Sequence, residues 1–134
     1  MGWNDVDLKN VSPTIEPVAE GNYTLQLLPG AKFSEQDSQK IEASAAITDG
    51  EFAGRKLFFT YPDPAKFDWS PRVFKRLVNS LGVDMTEGEG PTEYLNRAAG
   101  QRFAGPVRHR KYTAQDGTEV TKAELVIFNL GPAA

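Results

Sequence analysis

The chain has 134 residues, 40% of them hydrophobic and 25% charged, with a formal net charge of −3, as expected of one ordinary globular domain. It contains no cysteine and a single histidine, His109, which excludes disulfides and thiolate zinc sites and argues against a zinc enzyme. No apolar run approaches the roughly 20 residues of a membrane-spanning helix, and residues 1–10 are acidic and lack the apolar core of a secretion signal. We therefore expect a cytoplasmic protein with no membrane partner.

The N-terminal part is predicted to be an extended arm. Residues 1–20 include Pro13 and Pro17 and show little hydrophobic periodicity. Their scattered apolar side chains suggest that the arm lies on the rest of the domain or on a neighbouring subunit. Residues 21–134 are predicted to form a single domain.

Three strands are predicted next. Alternating apolar residues indicate strands over 21–30, 40–48 and 55–61, with a polar loop around Phe33 between the first two. The segment 49–54 opens with Asp49-Gly50 and has the length of a hairpin connection. These strands form an unbroken antiparallel meander.

The third of these strands, "RKLFFTY" over residues 55–61, carries aromatic residues on both of its faces. Leu57 and Phe59 form the better core pair, which directs Lys56, Phe58 and Thr60 outwards. Arg55 and Tyr61 are expected near the ends of the strand. An alternative is that the outward Phe58 packs beneath the N-terminal arm.

Two helices are predicted to follow. Over residues 70–82, Ser70 suits the N-cap, Pro71 the first helical position and Gly82 the C-terminal stop. A second, shorter helix is expected over 90–100. Arg72, Lys75 and Arg76 form a basic flank on the first helix. This flank is either part of a binding surface or an ordinary solvated face.

The last two strands are predicted over 102–113 and 120–130. Phe103 and Val107 are expected to face the core, which places Arg108, Arg110 and Tyr112 on the opposite face. Gly105-Pro106 indicates a bulge or a sheet edge, and a bulge would reverse this assignment.

The order strand–strand–strand–helix–strand–strand predicts a mainly β fold, the five-stranded Greek-key barrel called the OB-fold. An open ββαβ-type sheet is the alternative. The barrel is favoured because the first three strands form a meander and the helices fall between the third and fourth strands.

Charge is unevenly distributed along this acidic chain. Residues 55–80 contain six basic and two acidic residues, and residues 97–112 contain five basic residues and no acidic one. Basic patches of this kind attract anionic partners whatever the net charge, although solvated faces are the alternative explanation.

Cations and aromatic rings share the outward faces of two predicted strands, the combination that single-stranded nucleic acids require. In OB-folds the outer face of the second and third strands is the usual binding surface. The predicted binding residues are Arg55, Lys56, Phe58, Tyr61, Arg72, Lys75, Arg76, Arg108, Arg110, Lys111 and Tyr112.

Catalytic motifs are absent from the sequence. It contains no Gly-x-Ser-x-Gly elbow and no phosphate-cradling Gly-x4-Gly-Lys-Ser/Thr motif. The acidic residues of "DMTEGE" match no Ca²⁺ loop. We therefore expect a protein that is not an enzyme and has no metal or cofactor.

Three segments share a recognisable pattern, at Gly21 and Tyr23, then Asp49, Gly50, Gly54, Arg55 and Phe58, then Lys75, Arg76, Leu77, Leu81 and Gly82. With this pattern the chain resembles a largely uncharacterised family of small phage and prophage proteins proposed to be single-stranded-DNA-binding OB-fold proteins. The resemblance covers about residues 18–82, and more loosely "GQRFAGPVRHRKY", while the loop "SEQDSQKIE" departs from the family's Lys/Gly-containing loop.

The resemblance implies single-stranded DNA binding in phage replication or recombination, inside a bacterial host cell. Replication or recombination proteins and further copies of the chain are candidate partners. The alternative is a protein–protein interaction module of a virion or replication complex that does not bind nucleic acid directly.

Overall fold

The computed structural model describes residues 17–133, together with the single positions Asn4 and Lys9. The fold is mainly β, as predicted. Most of the predicted arm lies outside the described residues; at its described end Val18 is buried. In the part of the chain that is described, neither helix is long and apolar enough to cross a membrane.

One antiparallel sheet of seven strands contains most of the regular structure. The strands are β1 (Gly21–Leu27), β2 (Lys32–Phe33), β3 (Ile41–Ile47), β4 (Lys56–Tyr61), β5 (Arg102–Thr113), β6 (Glu119–Leu125) and β7 (Gly131–Pro132). The helices are α1 (Ser70–Leu81) and α2 (Pro91–Arg97), and a 3₁₀ turn spans Ile127–Asn129. The loop predicted around Phe33 therefore contains a short strand, β2, which pairs with β3.

Strand pairing follows the order β2-β3-β1-β5-β6, with β4 added on β3 and β7 on β5. β4 and β6 are not paired with each other, yet their Cα atoms approach within 8 Å. The sheet therefore curves, which brings β4 and β6, from opposite ends of the pairing order, close to each other.

The predicted alternation of β3 and β4 is confirmed. Leu57 and Phe59 are buried, and Lys56, Phe58 and Thr60 are exposed. In β3, alternate residues from Ile41 to Ile47 face the core.

Tyr61 continues the buried row of β4, so its prediction as an exposed binding residue is wrong. It is 1% exposed, and its ring packs edge-on against Phe74 of α1 with 5.2 Å between the ring centroids. The end of the strand is buried because α1 covers it.

β5 continues through Gly105-Pro106 without a bulge. Its pairing with β1 is unbroken from Val107, opposite Gly21, to Arg102, opposite Gln26. The predicted orientation of Phe103 and Val107 towards the core is confirmed. Gly105 allows this packing, since a Cβ atom there would lie 2.6 Å from the side chain of Leu130.

α1 ends as predicted at Gly82, which has a φ of 72°. It does not begin with Ser70 as N-cap. Trp69 occupies that position, and Ser70 is the first helical residue and is buried. The chain already turns before the helix, since the N–H of Ser70 donates to the carbonyl of Phe67 at 3.0 Å.

The last predicted strand, 120–130, is too long. β6 ends at Leu125, after which the N–H of Val126 donates to the carbonyl of Pro106 at 2.9 Å. The chain then enters the 3₁₀ turn, and β7 pairs with Phe103 and Ala104. This turn leaves Phe128 exposed at the surface.

Candidate nucleic-acid interface

A surface cavity of about 590 Å³ lies where the outward face of β4 meets the β5–β6 hairpin. We call it the basic groove. Its polar and aromatic lining includes Lys40, Phe58, Thr60, Arg108, Arg110, Lys122, Glu124 and Phe128. The volume lies within the range of small-ligand pockets.

Phe58 is the most exposed large apolar residue of the described chain, at 73%. Its cross-strand neighbour in β3 is Ser44, and the outward residues on either side of Ser44 are Glu42 and Ala46. The directly opposite side chain, Ser44, is short and does not cover the ring. The predicted exposure of Phe58 is confirmed, and packing beneath a described part of the arm does not bury it.

Cations dominate the basic groove. Arg108, Arg110 and Lys122 come from the hairpin and Lys40 from the loop that leads into β3, and they face one carboxylate, Glu124. With His109 neutral, the lining has a net charge of +3 in a chain whose net charge is −3.

Arg110 and Lys122 lie directly opposite each other on neighbouring strands. Like charges in that position destabilise a sheet. Glu124 relieves part of the repulsion, since its Oε1 lies 3.4 Å from Nη1 of Arg110. An anion bound in the groove would relieve more of it.

Phe128 contributes a second exposed ring to the basic groove. Arg76 of α1 reaches the turn that carries it, and its Nη1 donates to the Phe128 carbonyl at 2.6 Å. Arg76 itself lines neither cavity, so its part in binding stays a prediction.

A smaller cavity of about 250 Å³ adjoins Phe58 on the side of Arg55 and Lys56. Phe58 and Lys122 line both cavities. The Arg55 guanidinium carbon lies 6.0 Å from the centroid of the Phe52 ring, which holds it at this position.

His109 has structural partners next to the groove. Its ring Nε2 lies 2.7 Å from the carbonyl of Val18, and its backbone N–H donates to Glu20 Oε2 at 2.8 Å. Since a carbonyl only accepts, Nε2 carries the proton in this bond. His109 thereby ties the segment before β1 to β5.

Other predicted binding residues lie outside both cavities. Arg72 and Lys75 are exposed on α1, and Tyr112 lies further along the hairpin at 46% exposure. Lys111 forms an ion pair with Glu119 at 3.5 Å. Their part in binding stays a prediction. Tyr61 is excluded, since burial removes it from any ligand and raises the pKa of its phenol.

Lys40, Lys122 and Phe128 were not predicted to belong to this site. Lys122 has a signal in the sequence, because alternation along the last strand places it on one face with Glu124. The sequence signal for Phe128 is weak: the apolar run Leu125-Val126-Ile127 before it breaks the alternation expected of a strand.

Comparison of the chain with models of known protein families and with curated protein sequences finds no match.

Proposed function

We propose that this protein is a non-catalytic single-stranded-DNA-binding protein with an OB-type barrel. The observation that carries the proposal is the basic groove, in which an exposed ring on a flat strand face lies among four cations and one carboxylate. The family resemblance supports a role in phage-type replication or recombination.

The strand arrangement supports the OB-type barrel. Among the five long strands, β1 lies between β3 and β5, β4 borders β3, and β6 borders β5. β4 and β6 approach each other at the remaining seam, and both helices fall between β4 and β5. This is the order of a partly open five-stranded OB barrel, to which β2 and β7 add two residues each.

The position of the basic groove supports the same proposal. Phe58 and Thr60 come from the third long strand, Lys40 from the loop between the first two, and Arg108 and Lys122 from the last hairpin. In OB-folds, oligonucleotides bind on the face of the second and third strands and at the loop between the first two. Arg108 and Lys122, which lie in β5 and β6, extend the groove from there onto the last two long strands.

The chemistry of the groove fits a single strand of DNA. A base stacks on Phe58, and neighbouring phosphates pair with Arg108, Arg110 and Lys122. Stacking uses the face that all bases share, and phosphate contacts are the same for every sequence. Binding therefore has little sequence preference. A paired duplex hides its base faces, so it binds more weakly.

Replacement of Phe58 by alanine tests the proposal. The variant should bind a single-stranded oligonucleotide roughly 1–3 kcal/mol more weakly, because one base loses its stacking partner. Phe33→Ala is the matched control, since Phe33 is also an exposed strand phenylalanine, at 41%, but lines neither cavity. Affinity is measured by fluorescence anisotropy, and folding is checked by thermal melting.

Equal binding by folded Phe58→Ala, Phe33→Ala and the parent would contradict the proposed interface. Absence of DNA binding by the parent would favour the protein–protein interaction module, with the groove receiving an acidic partner.

A further inference from the structure

Three aromatic side chains form a continuous cluster beside the N-terminus of α1. The ring centroids of Phe67 and Trp69 are 5.6 Å apart, and those of Trp69 and Phe128 are 4.8 Å apart. Phe67 and Phe128 are 44% and 43% exposed, and Trp69 is half-buried between them. Trp69 therefore contacts Phe128 without itself lining the groove.

Phe128 is the member of this cluster that lines the basic groove, and Phe58 lines the same groove. Arg108, Arg110 and Lys122 line it as well, so cations accompany both rings. The Arg76–Phe128 bond, 2.6 Å long, fixes the backbone of the turn and adds a further cation beside it.

Phe67 differs from Phe128 in its surroundings. It lines neither cavity, and the loop that carries it contains Asp63, Asp68 and one cation, Lys66, with a net charge of −1. The groove at Phe128 has a net charge of +3. A bound strand is therefore favoured at Phe128 over Phe67.

We propose that Phe128, supported by Trp69, is a second base-stacking site on the same bound strand. This inference rests on the proposed function and extends it, since the DNA runs through the basic groove from Phe58 to Phe128. The site lies on the turn after β6, outside the strands that form the first site. An oligonucleotide that runs through the groove therefore contacts both rings, which line the same cavity.

Tryptophan fluorescence tests whether the bound DNA reaches Phe128. The chain contains two tryptophans, so Trp3→Phe leaves Trp69 as the single reporter. An oligothymidylate of about 16 nucleotides, the upper end of OB-fold site sizes, is titrated into this variant. We expect its binding to change Trp69 emission strongly.

Two leucine variants provide the matched comparison. Phe128→Leu should weaken binding of this oligothymidylate at least about fivefold, because an aliphatic side chain offers no aromatic face for stacking. Phe67→Leu removes an equally exposed ring from the same cluster and should leave affinity unchanged.

Failure of this inference differs from failure of the proposed function. If Phe58→Ala weakens binding while Phe128→Leu matches Phe67→Leu and Trp69 emission stays constant, the second site is refuted and the first stands. If the parent does not bind the oligothymidylate, both are refuted. The emission test keeps Phe128 in place, so it decides the matter even if Phe128→Leu does not fold.

Discussion

The Tyr61 hydroxyl is buried and has no hydrogen-bond partner among the described residues. Burial without a partner costs a hydroxyl the hydrogen bonds that water gives it in the unfolded chain. Tyr94 is the contrasting case, because it is also fully buried but donates its hydroxyl proton to the carbonyl of Val83 at 2.6 Å. Two buried tyrosines thus differ in one hydrogen bond.

Tyr61→Phe should raise the free energy of unfolding by about 1 kcal/mol, since it removes an unsatisfied polar group and keeps the ring. Tyr94→Phe should lower it by a similar amount, about 1 kcal/mol, because a satisfied bond is lost. Urea denaturation of the parent and both variants measures these changes. A loss of stability in Tyr61→Phe as large as that in Tyr94→Phe would show that the Tyr61 hydroxyl has a partner after all.

The exposure of Phe58 was predicted, whereas the burial of Tyr61 was missed. Local alternation decides which face of β4 a residue occupies, and it puts Tyr61 on the core face with Leu57 and Phe59. Whether the end of the strand is covered depends on Phe74, which the chain brings back from α1. Such tertiary contacts have no local signature.

At the scale of elements, a bidentate ion pair closes the connection between α1 and α2. Nε and Nη2 of Arg97 donate to the two carboxylate oxygens of Glu89, each at 2.8 Å, and Nη2 also donates to the carbonyl of Asp84 at 2.7 Å. The Arg97 hydrogen bonds, with a further one from the backbone of Thr86, lower the pKa of Glu89 to about 2.

This ion pair predicts a pH dependence of stability. The folded pKa of Glu89 lies below its unfolded value of about 4.3, so its contribution is complete above that value and is lost as the pH falls towards 2. Glu89→Gln should therefore melt at a lower temperature than the parent near pH 7, and the difference should shrink in acid.

Glu87→Gln is the matched control, because Glu87 is an exposed acid in the same connection. Melting curves of the parent and both variants, recorded from neutral pH to about pH 2, provide the comparison. A difference in melting temperature between the parent and Glu89→Gln that stays constant over this pH range would contradict the role assigned to the Glu89 carboxylate.

Element boundaries show where local prediction stops. The limits of β5 were predicted correctly, since its pattern is continuous. The end of β6 was predicted five residues too late, at 130 instead of Leu125. The turn that follows is held by the bond between Arg76 and Phe128, residues 52 positions apart. Phe128 was missed for the same reason.

At the scale of the whole molecule, an acidic chain has four of its fifteen Lys and Arg residues in the basic groove, against one carboxylate. The net charge of −3 opposes a polyanion at long range, while the basic groove attracts it locally. Salt screens both effects, but if the groove binds DNA as proposed, release of counterions from the phosphates should make the affinity fall as salt rises.

Arg108→Ala measures this local contribution. It removes one phosphate contact, so the slope of log affinity against log salt should become shallower by about 0.7, the value for single strands. Arg102→Ala is the control, since Arg102 is exposed on the same face of β5, about 20 Å away at the spacing of a strand, and lines neither cavity. Equal slopes for Arg108→Ala and the parent would remove Arg108 from the interface.

The central claim is that this fold binds single-stranded DNA through the basic groove. Fluorescence-anisotropy titration of the parent with single- and double-stranded oligonucleotides of one sequence, at about 50 mM and about 200 mM salt, tests it most directly. We predict tighter binding of the single strand at both salt concentrations, with affinity falling as salt rises. Binding of neither oligonucleotide at the lower concentration, or equal binding of both, would contradict the claim.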